Sequence, residues 1–265
     1  MITTQPQFSF KTVPLGLLAI VLPLCGLVVK ADEAKVDPPK TEKKWESVAT
    51  IGVTLTRGNS QTFLGSGSVA TKRNWTNNEV LFGASAGYGE TTSRVNGNEV
   101  DTTTDSYVKG YGQYNHLFSP VIYAGLRIAA EHDDVAHLTY RTAISPLAGY
   151  YFIKQTNAFL CAEVGPSYIR EKFFSEDVHN YIGLRLAERG EYKFKTGAKI
   201  WESVEYIPKF EDFQNYLINA EIGVSAPIHK SLNVSLVLQD TYKSVPAAGK
   251  EKNDLKLIAG IGFNF

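Results

Sequence analysis

Imidazole and carboxylate side chains crowd two short segments, His132-Asp133-Asp134-Val135-Ala136-His137 and Glu176-Asp177-Val178-His179. Nitrogen and oxygen donors at this spacing suit a divalent cation at a surface, and His132, Asp134 and His137 form the weak candidate set. The plainer reading is a hydrated loop with no metal. Nucleophilic catalysis needs a His and a Ser held side by side near a strand end. His116-x-x-Ser119 has the wrong spacing for that, and no suitable pair is expected. Glu163, Glu202, Glu205 and Glu221 lie in alternating segments, but sequence alone places no two of them in register. The chain is therefore expected not to be an enzyme, to need no cofactor, and to have no defined small-molecule substrate.

These groups gain meaning only once the elements that carry them are set. From Trp45 onward, apolar and polar residues alternate with period two between turn residues, the mark of strands with two unlike faces. Twelve strands are expected, near 46–56, 61–74, 78–90, 104–116, 121–132, 139–153, 157–170, 180–193, 197–207, 215–227, 231–242 and 254–265. Each reaches the roughly 9–11 residues that a tilted strand needs to cross hydrocarbon. In the fifth, Ile122, Ala124, Leu126, Ile128 and Ala130 oppose Tyr123, Gly125, Arg127, Ala129 and Glu131; in the eleventh, Leu232, Val234, Leu236 and Leu238 oppose Asn233, Ser235, Val237 and Gln239.

Alternation does not say which face is outside, but size does. Eight strands are just filled by their own side chains, whereas twelve enclose too much space for Ala, Gly and Val to fill. The apolar face should therefore meet lipid. The connections agree: those after even-numbered strands are short, while Glu90–Thr103, His132–Leu138, Glu171–His179 and Lys243–Asn253 are longer and polar, as turns and external loops of a membrane barrel are. The fold class expected is all-β, a transmembrane antiparallel up-and-down barrel of about twelve strands over residues 45–265.

On such a barrel, Lys109, Arg127, Glu131, Arg141, Glu163, Arg185, Arg189, Glu221 and Lys256 have the parity opposite to the lipid face. They would form a lumen charge network. Two arrangements stay open: opposite charges paired across the interior and closing it, or charges lining a narrow aqueous path.

Both ends of the chain fit export. Lys11 precedes an apolar run from Val13 to Val29, and Val29-Lys30-Ala31 offers a cleavage site, so residues 1–31 read as a signal peptide. Asp32 to Lys44 is charged and Pro-containing, and reads as a disordered periplasmic tether over 32–44. With 27 basic and 27 acidic residues overall, loss of Lys11 and Lys30 leaves the mature chain at −2, which argues against nucleic acid as a partner. Cys25 departs with the signal and leaves Cys161 alone, so no intrachain disulfide is expected. The end, Leu255-Lys-Leu-Ile-Ala-Gly-Ile-Gly-Phe-Asn-Phe265, puts Ile261, Phe263 and Phe265 on one face, resembling the assembly signal of an outer-membrane barrel.

Four ordered motifs carry a resemblance: Gly52 with Gly58-Asn59-Ser60-Gln61-Thr62, Gly165-Pro166-Ser167-Tyr168-x-Arg170, Glu205-Tyr206-Ile207-Pro208, and Tyr242-x-Ser244-x-Pro246-x-x-Gly249 followed by Asp254. With the terminal Phe, this set resembles the domain-of-unknown-function 481 family, which contains salt-induced outer-membrane proteins (YdiY-like). The resemblance spans about residues 45–265. It implies a Gram-negative cell outer membrane, a role in envelope integrity or salt stress, and no established biochemical activity. The partners it implies are outer-membrane lipid and lipopolysaccharide, the barrel-assembly machinery and periplasmic chaperones. A porin-like channel for small solutes and a barrel that binds partners through its external loops stand as alternatives.

Overall fold

The computed structural model describes residues 45–56, 60–95 and 98–265. The expected signal peptide, the tether and the Gly58-Asn59 turn lie outside the described residues. Period-two alternation resolves into twelve strands: β1 (Glu46–Thr56), β2 (Ser60–Asn74), β3 (Asn78–Val95), β4 (Asn98–Leu117), β5 (Ile122–Asp133), β6 (Leu138–Lys154), β7 (Ala158–Phe173), β8 (Val178–Lys193), β9 (Lys199–Lys209), β10 (Asp212–His229), β11 (Leu232–Lys243) and β12 (Asn253–Asn264). Each pairs antiparallel with its neighbour in sequence, and β1 pairs with β12 to close the barrel. Closure leaves no open edge, as a sheet in hydrocarbon requires.

The apolar face is outside. Ile128, Leu236 and Phe263 are 51%, 45% and 47% exposed; on a barrel packed around an apolar centre they would be buried. Aromatics gather at both ends of this apolar band. Phe118, Tyr150, Phe152 and Phe265 mark the end that holds Trp45 and the last strand residues (the terminal end), and Tyr168, Phe210 and Phe213 mark the other (the loop end). An apolar wall between aromatic girdles is suited to acyl chains, not to water.

The closing seam is short. The β1–β12 ladder runs from Val48 opposite Asn264 to Ile51 opposite Ile261, and Phe265 extends it by exchanging backbone bonds with Ser47 at 3.0 and 3.3 Å. Phe263 and Phe265 stack outside it, their ring centroids 6.0 Å apart.

One expected loop is a hairpin instead. Glu90–Thr103 continues the β3–β4 ladder, with Thr91 opposite Thr102 and Thr92 opposite Asp101, after a register shift at Gly89/Glu90. A hairpin that projects beyond the lipid needs no apolar face, so the pattern that marks membrane strands stops while the β-branched threonines carry the pairing on.

The β6–β7 ladder breaks for a visible reason. Ile144 opposite Tyr168 and Ala148 opposite Val164 place Pro146 opposite Pro166, and neither proline has an N–H to donate. On the lumen side the gap is bridged by Ser145 Oγ and Ser167 Oγ, 2.8 Å apart and buried. Beside it Gly165 lies so close that a Cβ there would sit 2.0 Å from the Pro146 carbonyl oxygen. Gly165→Ala is accordingly expected to cost about 1–3 kcal/mol through forced backbone movement, read as a lower unfolding midpoint in detergent. An unchanged midpoint would contradict this close approach.

Candidate functional site: the charged lumen

The inward face of β4 to β10 brings acids, bases and amides together. Glu163 on β7 lies at the centre with its side chain 1% exposed. Its Oε1 accepts from Gln113 Nε2 on β4 at 2.7 Å, Tyr123 Oη on β5 at 2.9 Å and Arg189 Nη2 on β8 at 2.8 Å. Its Oε2 accepts from Arg185 Nη1 at 2.9 Å. Arg185, 4% exposed, donates through Nε to Glu205 Oε1 on β9 at 2.5 Å, and Asn219 on β10 donates to Glu205 Oε2 at 3.2 Å. Arg127 on β5 stacks 3.8 Å above the Tyr111 ring and reaches Glu205 at 3.9 Å. Contacts between β4 and β7, or β5 and β9, join strands that are not neighbours, so the network spans the lumen rather than lining it. Charges this buried are tolerable only because each finds an opposite charge or a hydrogen bond.

Further layers lie above and below. Toward the terminal end Glu79 Oε2 accepts from Asn115 Nδ2 at 2.9 Å and from Tyr151 Oη of β6 at 2.8 Å. These sit against an apolar cluster of Tyr123, Leu147, Tyr151 and Cys161. The Tyr123 ring covers Gly149, where an ideal Cβ would be 2.1 Å from it, so only glycine admits the ring there. Toward the loop end Arg141 joins Glu131 to Glu171, the latter at 2.7 Å. Lys243 reaches Glu171 from β11 at 3.2 Å, over the Phe173 ring at 3.9 Å.

A loop roofs this second ion cluster. Ala247, in the β11–β12 connection, is buried against Leu138 and Phe173. The connection is tied down by Ser244: its Oγ accepts from the Tyr216 amide at 2.7 Å and donates to the Tyr216 carbonyl at 3.1 Å. Gly249 turns the chain at φ 75°, a conformation that glycine takes without strain.

Of the nine predicted lumen charges, Glu163, Arg185, Arg189 and Arg127 belong to the central network, and Glu131 and Arg141 to the upper cluster. Lys256 pairs separately with Asp105 at 2.8 Å. Glu221 accepts from Trp201 Nε1 at 2.7 Å and Gln239 Nε2 at 2.8 Å. Lys109 Nζ lies 5.4 Å from the Tyr107 ring centroid, a ring that Lys256 Nζ also approaches at 4.1 Å. Sequence reading missed Glu79, Asp105, Gln113, Asn115, Glu171 and Lys243, all of which share the inward parity of their strands. The interior is not polar throughout: Tyr123, Leu147, Tyr151, Ile169, Ile207 and Leu217 pack inside it, and Ala247 of the β11–β12 loop packs on Leu138 and Phe173.

The weak metal set does not converge. His132 Nδ1 lies 2.8 Å from the Thr139 carbonyl and its Nε2 3.1 Å from Asp134. His137, at φ 55°, stacks on Phe174 at 5.4 Å. Among the described residues no three His, Cys, Asp or Glu side chains are grouped to hold a metal ion. The His–Ser reading also passed over His229-Lys230-Ser231; His229 is exposed at the β10–β11 turn, at the terminal end.

Comparison with known proteins agrees with this architecture. No curated protein matches the chain. Among solved structures, the NanC porin superposes with TM-score 0.50 at 9% identity, covering 83% of this chain and 100% of its own. The KdgM porin gives 0.42 at 10% identity, covering 84% and 99%. The translocator domain of the autotransporter NalP from Neisseria meningitidis gives 0.43 at 12%, covering 86% and 90%. The similarity to NanC is one of fold alone: a closed barrel of the outer-membrane, porin-like type. Residues 49–265 match the family described as "Protein of unknown function, DUF481", and the chain belongs to that family.

Proposed function

We propose that the protein is an outer-membrane barrel whose lumen is held shut, or very narrow, by its charge network, and that it serves envelope integrity under stress rather than bulk solute transport. The terminal end faces the periplasm, the roofed end faces outward, and residues 1–31 export the chain. Phospholipid and lipopolysaccharide surround the wall, and Ile261, Phe263 and Phe265 present the closing strand to the assembly machinery. The salt-response role follows from the family resemblance. The observation that carries the reading is Glu163, joined to β4, β5 and β8 while only 1% of its side chain is exposed. A hydrated pore would leave its central carboxylate wet.

Passage of small solutes has one observation in its favour. Inward Ser68 and Ala70 on β2 remain exposed, so a strip of the lumen away from the network is open. Planar-bilayer recordings decide between the two. The purified protein, confirmed as folded by heat-modifiable gel migration, is expected to give no stable ohmic steps. Regular steps at all salt concentrations would replace the closed reading with the channel.

A further inference from the structure

Arg73 is an unusual residue for the outer wall of a barrel. It sits on β2 opposite Val80 of β3, one residue before the strand ends at the terminal end. It shares the outward parity of Phe63 and Val69, whereas its neighbour Lys72 points inward to Glu46 and over Phe159 of β7. The guanidinium lies between two indoles, 4.8 Å from the Trp75 ring and 5.8 Å from the Trp45 ring. Its Nε is buried without a hydrogen-bond partner. A cation at the lipid boundary that lacks a carboxylate among its described contacts is oriented for an anion from outside the chain.

The adjoining surface supplies the rest of a lipid site. A shallow cleft of about 550 Å³ runs beside Arg73, lined by Trp45, Ser47, Thr71, Phe82 and Phe265. Trp45 and Phe82 tilt together at 6.3 Å, while Ser47 Oγ and Thr71 Oγ1 share a 2.8 Å bond on the floor. Indole rings sit at headgroup depth in membranes, with apolar surface toward the acyl region.

We propose that this rim binds one glycerophospholipid, its phosphate on Arg73 between the two indoles and an acyl chain along the Trp45–Phe82–Phe265 cleft. This rests on the membrane placement given above. The charge complementarity is with phosphate, and the apolar lining of Trp45, Phe82 and Phe265 is suited to a chain that free phosphate lacks. A lipid here would brace the β1–β12 seam where Phe265 closes it.

The test uses the full-length mature barrel in a Trp201→Phe background, which leaves Trp45 and Trp75 as the tryptophans. Native mass spectrometry after detergent extraction should show one phospholipid retained through delipidation. Brominated-chain phospholipid in vesicles should quench the two indoles. Arg73→Gln should weaken both by roughly tenfold, the loss of one charge-assisted contact. Arg73→Lys should restore part of the retention, and Lys72→Gln, on the opposite face, should change neither. Equal retention by Arg73→Gln would overturn the site, as would displacement of the lipid by millimolar inorganic phosphate. If Arg73→Gln inserts into vesicles yet binds like the parent, the site alone fails. If no variant inserts, the membrane placement falls and the site falls with it.

Discussion

Glu163→Ala is expected to destabilise the barrel by about 3–5 kcal/mol, the usual cost of stripping one partner from a buried ion pair. The size follows from what is stranded. Arg185 keeps Glu205 at 2.5 Å, so half of its charge compensation survives. Arg189 fares worse: its Nε already lacks a partner, and Glu163 is its hydrogen-bond acceptor at 2.8 Å. Gln113 and Tyr123 also lose their acceptor. The measurement is the unfolding midpoint in detergent, followed by the heat-modified gel shift. The paired variant Glu163→Leu with Arg189→Leu should recover much of the loss, because no isolated charge remains. A Glu163→Ala midpoint equal to that of the parent would mean that water already reaches this carboxylate, and the closed lumen would go with it.

The strands were legible because membrane and lumen impose opposite demands on alternate residues. Wherever both demands act, as along Ile122–Ala130 or Leu232–Leu238, parity fixed face and extent within a few residues. Legibility failed where one demand stops. Above the lipid, Thr91–Thr92 and Asp101–Thr103 need no greasy face, and a paired hairpin reads as a loop. The same truncation hid Glu171 and Lys243, each assigned to a loop when each lies within the last three residues of a strand and points inward.

The pairing across the lumen was not legible at all. Parity says that Glu163 and Gln113 both face inward; only the barrel's stagger says that they meet. The resemblance motifs turn out to hold these non-local joints. Ser167 closes the proline gap, Glu205 bridges Arg185 and Asn219, and Ser244 ties the roof to Tyr216. Short polar words scattered along the chain therefore mark positions where neighbouring strands, or a loop and a strand, must be locked together.

On the closed-lumen proposal the roof and the network act as two barriers in series, and series barriers give the strongest prediction about conduction. An ion crossing the lumen meets the Leu138–Phe173–Ala247 lid first and the Glu163 network second. Current is set by the tighter constriction, so removing either one alone should leave a barrel that stays nearly silent. Replacing residues 245–251 with a short Gly-Ser link removes the lid, leaving Ser244 to hold the strand end. Gln113→Ala, Glu163→Ser and Arg189→Ser together thin the network while removing one acid and one base as a pair, and Arg185 keeps Glu205 as its partner. Each set alone should show sparse, unresolved currents in planar bilayers, and the combination should give regular ohmic steps at least tenfold more frequent. Full conductance from the lid deletion alone would make the loop a gate and the network a pore lining. Silence of the combination, in protein still heat-modifiable on gels, would place the real closure elsewhere, in the apolar cluster of Tyr123, Leu147 and Tyr151.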